Sequence, residues 1–262
     1  MSVAQPTAPV REAGELASFS VSAIASLRGV WHHGAEVLRQ CSTLITGSLL
    51  VVCGMQFVVG GECALFGTYL LRTFAASGSI GFFTEICDVR ELFPYMFGYI
   101  LAAKVGCGLV AEIGSMSISD EIAALESVGI DSMRYIVGTR LMAALLALPV
   151  IYAISVLAGT AGTFVTVVWQ IGEVSQGGWA AQHWAYQTVS EDLLGFAKAM
   201  AIGISVVLVG TYYGYRARGG PVGVGSATAR SMIVNLVLIH LIGLSMSVAF
   251  WGGTNPRTPI GG

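Results

Sequence analysis

Five long apolar runs constrain this chain more than any other feature of its sequence. They lie at about residues 42–61, 93–114, 136–170, 193–215 and 231–251. A helix of about 20 apolar residues crosses the roughly 30 Å hydrocarbon core of a bilayer. The third run is too long for one straight crossing, so we expect it to tilt or to extend beyond the bilayer. The runs therefore predict an all-α membrane protein with about five transmembrane helices.

The composition also favours a membrane protein, and it argues against a protein that binds nucleic acid. Of the 262 residues, 55% are hydrophobic and only 11% are charged, which is more apolar surface than one soluble core can bury. The formal net charge is −2, and the 13 basic residues are scattered along the chain. Because the sequence contains no basic patch that would follow a phosphate backbone, we expect no nucleic acid partner.

The N-terminal part reads as an amphipathic helix, residues 15–40, that is too polar to span a membrane. One face carries Leu16, Phe19, Ala23, Ile24, Leu27, Val30, Trp31 and Leu38, and the other side carries Glu15, Arg28, His32, His33, Glu36 and Arg39. The pattern favours a position flat on the membrane surface, although a contact with another subunit would need the same pattern. The first 19 residues lack the basic and apolar regions of a removable signal peptide. We therefore expect an interfacial N-terminal segment, residues 1–40, and a single membrane domain, residues 41–262.

Two features of the apolar runs concern their packing. The half-apolar region at residues 61–92 is compatible with a continuing helix, a re-entrant piece or an elbow in the outer leaflet. Small residues recur at four-residue spacing, which lets helices approach closely inside a bilayer. They are Gly98, Ala102 and Gly106 in the second run and Gly210 and Gly214 in the fourth.

The basic residues predict the orientation of the spans. With five crossings and a cytoplasmic N-terminus, the cytoplasm receives Arg11, Arg28, Arg39, Arg134, Arg140, Arg216, Arg218 and Arg230, and the outside receives Arg72, Arg90 and Arg257. Cytoplasmic loops carry the excess of basic residues, so this distribution favours an inner-membrane protein whose N-terminus is inside and whose C-terminus is outside. Trp169, Trp179 and Trp184 then flank the external loop between the third and fourth spans, as interfacial aromatic residues do.

An acidic insert lies between the second and third runs, in the stretch AEIGSMSISDEIAALESVGID at residues 111–131. Ser117 and Asp120 have the spacing of a capping box, and Gly129 offers a left-handed stop. The sequence between them predicts a cytoplasmic helix of about three turns, with an apolar stripe formed by Ile118, Ile122, Leu125 and Val128. Such a stripe fits a groove in another protein, and it equally fits a helix that folds back on its own bundle.

Two ionisable residues lie in or beside the second run. An ionised side chain at the bilayer centre costs at least about 2.5 to 3.5 kcal/mol, so we expect Lys104 to face a bundle interior, water or a partner. Glu112 is eight residues further on, roughly 80° round the helix, which makes it a poor direct partner for Lys104. We favour a structural or gating role for both residues over contact with a lipid headgroup. Lys198 is expected to snorkel from the outer end of the fourth run.

The sequence contains no arrangement typical of an enzyme or of a metal site. The histidines, His32, His33, His183 and His240, do not have metal-ligand spacing, and no GxSxG occurs. The glycine-rich stretch GGPVGVGSATAR lacks GK[ST] and follows an apolar run rather than a strand, so it is not a phosphate loop. The five cysteines show no CxxC or Cys/His spacing and are interpreted as small buried hydrophobic residues. We therefore expect no catalytic residue, no metal and no cofactor in this chain.

Two stretches resemble the MlaE/YrbE family of lipid-transport ABC permeases. The first, KVGCGLVAEIGSMSISDEIAALESVGIDSMRYIVGTR at residues 104–140, is similar to the family signature over about 37 positions. The second, GYRARGGPVGVGSATARSM at residues 214–232, resembles the last cytoplasmic loop of the family. The GGPVGVG run, and the absence of the commoner prolines at Ser132 and Thr139, resemble the B-type YrbE permeases that accompany Mce proteins in actinobacteria.

The resemblance implies a function for the acidic insert and a set of partners. In this family the insert is a coupling helix that docks in a separate ATP-binding-cassette ATPase, which binds ATP and Mg²⁺. The positions that match the motif are Glu121, Ile122, Leu125, Glu126, Gly129 and Asp131. We expect the missing prolines at Ser132 and Thr139 to make the turn that follows less rigid. The further partners implied are a second, A-type YrbE permease, Mce tunnel proteins and a lipid that is taken up. An ion-coupled secondary carrier with a relay through Lys104 and Glu112, and a membrane scaffold without cargo, remain alternatives.

Overall fold

The computed structural model describes residues 8–252, and this part of the chain is helical and contains no β-strand. Its α-helices are α1 (Ala8–Ser26), α2 (Gly34–Thr73), α3 (Ile80–Glu85), α4 (Phe93–Leu101), α5 (Cys107–Ile118), α6 (Glu121–Ser127), α7 (Thr139–Phe164), α8 (Gln176–Tyr186), α9 (Val189–Tyr215) and α10 (Gly220–Trp251). They are joined by 3₁₀ segments at Leu27–His33 and Ser77–Ser79 and by π-helical segments at Ile86–Leu92, Ala102–Gly106, Met133–Gly138 and Val165–Ile171. The expected all-α fold is confirmed.

Five helical stretches in the described residues are long and apolar enough to cross a membrane. They are Val10–Thr73, Ser77–Ile118, Met133–Ile171, Val189–Tyr215 and Gly220–Trp251. Each predicted run lies inside one of them, so the number and the order of the predicted spans are confirmed. The third stretch has 39 residues and is roughly 58 Å long at about 1.5 Å per residue. It therefore exceeds the hydrocarbon thickness, as its sequence predicts.

The half-apolar region at residues 61–92 continues helix α2 only as far as Thr73, and it then turns into a second series of helical segments. Helix α2 has 40 residues and does not end until Thr73. After a turn in which Ala75 has a φ of 54°, the chain continues through α3 and the π-helical segment Ile86–Leu92 into α4. Arg72, at the end of α2, forms an ion pair with Glu173 at 2.5 Å.

The N-terminal prediction is only partly correct. Helix α1 and a 3₁₀ segment replace the single helix expected at residues 15–40, and residues 34–40 already belong to α2. The 3₁₀ segment contains Gly29, where a Cβ atom would lie 2.6 Å from Nε of Arg134, so a larger residue here would have to displace the Arg134 side chain. Of the predicted apolar face, Phe19 and Val30 are buried whereas Trp31 is 78% exposed. The face is therefore divided between a buried part and an exposed part.

The described chain forms two compact units, and the first comprises residues 8–44, 102–147 and 204–235. Within it, the ring of Phe19 in α1 packs edge-on against Tyr212 in α9, with ring centroids 5.4 Å apart. A Cβ atom added to Gly210 would lie 3.0 Å from the carbonyl oxygen of Gly106. Two of the small residues that the sequence singled out therefore form a close helix contact.

The second unit comprises residues 45–101, 148–203 and 236–252. Helices α2 and α7 approach closely in this unit, because a Cβ atom on Gly60 would lie 2.1 Å from the carbonyl oxygen of Gly159. Helix α8 begins after Ser175, whose Oγ accepts a hydrogen bond from the N–H of Gly178 at 3.1 Å, as a capping serine does. Its Trp179 packs against a buried apolar cluster.

The interpretation of all five cysteines as isolated hydrophobic residues is wrong for two of them. The structure joins Cys63 in α2 and Cys87 in the segment Ile86–Leu92 by a disulfide. Asp88 lies beside the two sulfur atoms, and these three residues form the one grouping of metal-ligand type among residues 8–252. Cys41, Cys53 and Cys107 are free and half-buried. The sequence spacing of 24 residues gave no sign of the pair, because a long helix and a turn bring it together.

Candidate functional site

The acidic insert forms a short helix, α6, between two sharp turns. Helix α5 ends at Ile118, and Asp120 adopts a left-handed conformation with a φ of 59° immediately before α6. The predicted capping box is wrong: the side chain of Asp120 makes no cap, and Ser117 lies inside α5. The Oγ atom of Ser117 instead donates a hydrogen bond to the carbonyl oxygen of Ala217 at 3.0 Å. A contact distant in sequence therefore replaced the local cap.

The C-terminal stop of α6 is confirmed. Gly129 has a φ of 80°, and its N–H donates to the carbonyl of Glu126 while the N–H of Ile130 donates to the carbonyl of Leu125, both at 3.0 Å. This pair of bonds is the Schellman arrangement, which uses glycine because a left-handed residue there has no Cβ penalty. Asp131 then accepts a hydrogen bond from the N–H of Arg134 at 3.1 Å and starts the next helix. Gly129 and Asp131 thus shape the turn.

No residue of α6 is buried in this chain. Glu121 is exposed, and Ile122 and Leu125 are half-buried. Val128, which the sequence placed on the same apolar stripe, is 71% exposed. The helix therefore has two turns rather than three, and much of its apolar surface is available to a partner.

Glu126 connects α6 to two other parts of the first unit. Its Oε1 atom accepts a hydrogen bond from Oγ of Ser132 at 2.5 Å and a longer one from the hydroxyl of Tyr215 at 3.4 Å. The two hydroxyl groups are 2.7 Å apart, and Ser132 is only 3% exposed. We call Glu126, Ser132 and Tyr215 the α6 latch. It joins α6 to the start of the third span and to the end of α9.

An open cavity of about 630 Å³ lies beside α6. Its walls come from the end of α5, from α6 and from the connection between α9 and α10, and they include Ile122, Glu126, Tyr215 and Arg218. The cavity is large enough to receive side chains of another protein. Ile122 and Glu126 thus line this cavity.

The two polar residues of the second span have different surroundings. Oε1 of Glu112 accepts a hydrogen bond from Nη2 of Arg140 at 2.6 Å, and the side chain of Arg140 is 6% exposed whereas that of Glu112 is 48% exposed. Lys104 lies in the π-helical segment Ala102–Gly106 and is exposed on this chain. The structure therefore does not place Lys104 in the interior of its own bundle.

The expectation that Lys198 snorkels is wrong, because its side chain is completely buried. Its Nζ atom donates hydrogen bonds to Oε2 of Glu91 and Oγ of Ser247, both at 2.7 Å, and to the carbonyl of Arg90 at 3.0 Å. It also lies 4.4 Å from the centroid of the Tyr95 ring. An ammonium group in an apolar environment needs such partners, so Lys198 ties three segments of the second unit together.

Sequence reasoning missed three of these contacts, although two had a signal. Arg140 and Lys198 are cations inside apolar runs, and a cation there requires a partner. The partner of Lys198, Glu91, is 107 residues away in sequence, so the need for a partner was visible but its identity was not. The contact of Ser132 with Tyr215 had no signal, because both residues are ordinary in a helix end or a turn.

Comparisons with known proteins place the chain among permeases. The family model described as Permease MlaE matches residues 37–249. A probable ABC transporter permease protein of Rickettsia bellii is 27% identical over 226 residues, which cover 86% of this chain and 87% of the relative. The intermembrane phospholipid transport system permease protein MlaE of Haemophilus influenzae is 26% identical over 227 residues, with coverages of 84% and 85%. A probable ABC transporter permease of Synechocystis is 25% identical over 181 residues, with coverages of 69% and 68%.

Proposed function

The chain belongs to the MlaE family of permeases, and from this membership we propose that it is one permease subunit of an ATP-driven, Mce-type lipid transporter. The relative from Rickettsia bellii is named as a probable ABC transporter permease, which supports a separate ATPase. The relative from Haemophilus influenzae is named for intermembrane phospholipid transport, which supports a lipid cargo. Under this proposal ATP and Mg²⁺ bind to the ATPase, and this chain only transmits its motion.

The observation that carries the proposal is the combination of exposure and anchoring in α6. No residue of the helix is buried, yet the Schellman turn and the α6 latch hold it to the rest of the first unit. A short helix whose C-terminal end is held in this way can transmit a displacement, whereas a loosely attached one would absorb it. Glu121 and Val128 would meet the ATPase directly, and Glu126 would fix the angle of the helix.

The proposed topology places α6 in the cytoplasm of an inner-membrane protein. The eight arginines counted on that side exceed the three on the other side, of which Arg257 lies outside the described residues. The N-terminus is inside and the C-terminus is outside in this orientation. Residues 41–262 then form one permease domain, which agrees with the reach of the family match over residues 37–249.

The remaining partners follow from the B-type resemblance. An A-type permease would pair with this chain, and the exposed Lys104 in the second span is a cation that such a partner could cover. Mce tunnel proteins would receive or deliver the lipid on the outer side. We propose uptake as the direction of transport.

The ion-coupled carrier is less well supported by the geometry. A relay through Lys104 and Glu112 requires that the two groups exchange a proton or share an ion. Glu112 is instead bonded to Arg140, and Lys104 is exposed.

A matched pair of substitutions, each of which replaces an exposed alanine by lysine, tests the proposed coupling. Ala124 is exposed on α6 and Ala181 is exposed on α8, which the proposed topology places on opposite sides of the membrane. We expect Ala124→Lys to reduce the amount of co-expressed ATPase that copurifies by about fivefold, the equivalent of roughly 1 kcal/mol. Ala181→Lys should leave the amount unchanged, and both variants should insert normally.

Lipid transfer in proteoliposomes that contain the complete complex distinguishes the hypothesis of a permease from that of a scaffold without cargo. The permease predicts that complexes of the Ala124→Lys variant which do assemble transfer less lipid for each ATP hydrolysed. A scaffold predicts a loss of transfer in strict proportion to the loss of complex. The coupling function of α6 would be refuted if Ala124→Lys and Ala181→Lys copurified with equal amounts of ATPase and transferred equal amounts of lipid.

A further inference from the structure

A second cavity of the first unit, of about 290 Å³, lies between three helical elements. Its walls come from α1, from the end of α9 with the following loop, and from α10. Gly223, Ser226, Ala227 and Arg230 line it from α10, and their spacing of three, one and three residues places them on one helical face. The volume is many times the roughly 30 Å³ that a water molecule occupies in the liquid. The cavity can therefore hold a polyatomic group.

Three arginines from the end of α9, the following loop and α10 meet at this cavity. Arg216, Arg218 and Arg230 line it together with one carboxylate, that of Glu12. Their charges therefore give the cavity an excess of positive charge. Because arginine presents a planar set of donors that matches phosphate oxygens, such a group of arginines is suited to a phosphate.

The carboxylates near the cavity are already engaged. Glu12 accepts a hydrogen bond from the hydroxyl of Tyr213 at 2.6 Å, and Glu15 forms an ion pair with Arg216. Among residues 10–252, whose side chains the structure describes, no carboxylate lies within ion-pairing distance of Arg218 or Arg230. Both of these guanidinium groups are exposed and can turn to a ligand in the cavity.

The position of the cavity in the fold favours a lipid over a protein as the source of the ligand. Helix α1 forms one wall, and the amphipathic pattern of this segment is typical of a helix at the membrane surface. Tyr212 and Tyr213 form another wall at the end of a span, where tyrosine marks the level of the headgroups. Basic pockets between transmembrane helices at this level are known to bind anionic headgroups.

We propose that this cavity binds the phosphate group of an anionic membrane lipid, with Arg218 and Arg230 as the ligands of the phosphate. The shared chemistry is that of a phosphate oxyanion, so free phosphate is the other source. Arg218 also lines the cavity beside α6, whereas Arg230 lines only this second cavity of the two. A bound headgroup would link Arg218, in the connection between α9 and α10, to Arg230 in α10 itself. Helix α1 would form the third wall of the site.

Native mass spectrometry of the full-length chain in a neutral detergent tests the proposal. Phosphatidylglycerol is titrated against phosphatidylcholine, which has no net charge. We expect one phosphatidylglycerol to bind at least about tenfold more tightly than phosphatidylcholine. Arg218→Gln and Arg230→Gln should each lower that affinity about tenfold, since each removes a charge-assisted hydrogen bond.

Two further variants make the test specific. Arg28→Gln removes an exposed arginine of the same unit that does not line the cavity, and we expect less than a twofold change. Glu12→Gln removes the one carboxylate from the lining, and we expect it to tighten binding of phosphatidylglycerol about threefold. A gain of affinity is not produced by misfolding, so this variant decides the matter if an arginine variant fails to fold.

The source of the phosphate is decided by a second measurement. The thermal unfolding temperature is compared in sodium phosphate and in sodium chloride of equal ionic strength. Stabilisation by phosphate that is lost in Arg230→Gln identifies free phosphate as a ligand, and binding of phosphatidylglycerol alone identifies the lipid. The proposal is overturned if phosphatidylglycerol and phosphatidylcholine bind equally and phosphate has no effect. It is also overturned if Arg28→Gln weakens binding as much as Arg230→Gln, or if Glu12→Gln does not tighten it.

Discussion

The α6 latch makes a quantitative prediction about the stiffness of α6. Ser132→Ala removes the hydroxyl that donates to Glu126 and leaves only the longer bond from Tyr215 at 3.4 Å. A hydrogen bond to a charged group contributes about 1.5 to 3 kcal/mol. Because Glu126 is exposed and regains water, we take about 1 kcal/mol as the loss. The local opening of α6 should then be about fivefold more frequent.

Amide hydrogen exchange followed by mass spectrometry measures this opening directly. The full-length chain in detergent should show exchange about fivefold faster in a peptide that covers α6, while peptides from α8 remain unchanged. Ser127→Ala is the matched control, because Ser127 lies in the same helix and its Oγ donates only to the carbonyl of Ala124. We expect that control to change the exchange of α6 less than twofold.

The double variant with Tyr215→Phe tests whether the three groups act together. If the hydroxyls of Ser132 and Tyr215 share Glu126, the two single changes should not be additive, and the coupling energy should be about 0.5 kcal/mol or more. Unchanged protection of α6 in Ser132→Ala would refute the latch. An equal increase in exchange in Ser132→Ala and Ser127→Ala would refute it as well.

Three other predictions concern the stability of the full-length chain in detergent, measured by thermal unfolding. Burial lowers the pKa of His183 to about 4, below the roughly 6.5 of the unfolded chain. The unfolded state therefore takes up a proton between these values that the folded state does not, so the contribution of His183 to stability should fall as pH falls from about 6.5 towards 4. This contribution is measured as the difference in pH dependence between the unchanged chain and His183→Phe. Lys198→Met should cost about 1 to 2 kcal/mol, because Glu91 loses a charge-assisted hydrogen bond but its side chain is 45% exposed. Adding Glu91→Gln should restore part of the loss, and a double variant no more stable than Lys198→Met would contradict the pairing. Gly60→Val should cost about 2 kcal/mol by overpacking, whereas Gly54→Val, in the same helix with nothing within 4 Å of the added Cβ, should cost much less.

The fold was predictable where it depends on local properties of the chain. Hydropathy and length determine a membrane span, since no water is available in the bilayer to satisfy a backbone that is not helical. All five spans were therefore expected at their positions. The stop at Gly129 was also expected, because a left-handed turn favours glycine whatever surrounds it.

The features that the sequence predicted wrongly depend on contacts between distant parts of the chain. The break after α1 accompanies the close approach of Gly29 to Arg134, which is 105 residues away. The expected cap by Ser117 yielded to a hydrogen bond with Ala217, 100 residues away. A local motif predicts which bonds a residue is able to make, and packing decides which of them it makes.

The turn after α6 has a serine at the position where the resemblance to the MlaE/YrbE family predicts a proline. A proline at position 132 would stiffen the turn by restricting φ of the backbone, without any contact to the rest of the protein. The hydroxyl of Ser132 instead bonds to Glu126 and Tyr215. The stiffness of this turn therefore comes from hydrogen bonds that form only while α6, the third span and α9 keep their relative positions. A turn held in this way is rigid only while α9 keeps its position. Movement of α9 during transport would therefore release α6, whereas a proline would keep the turn rigid throughout.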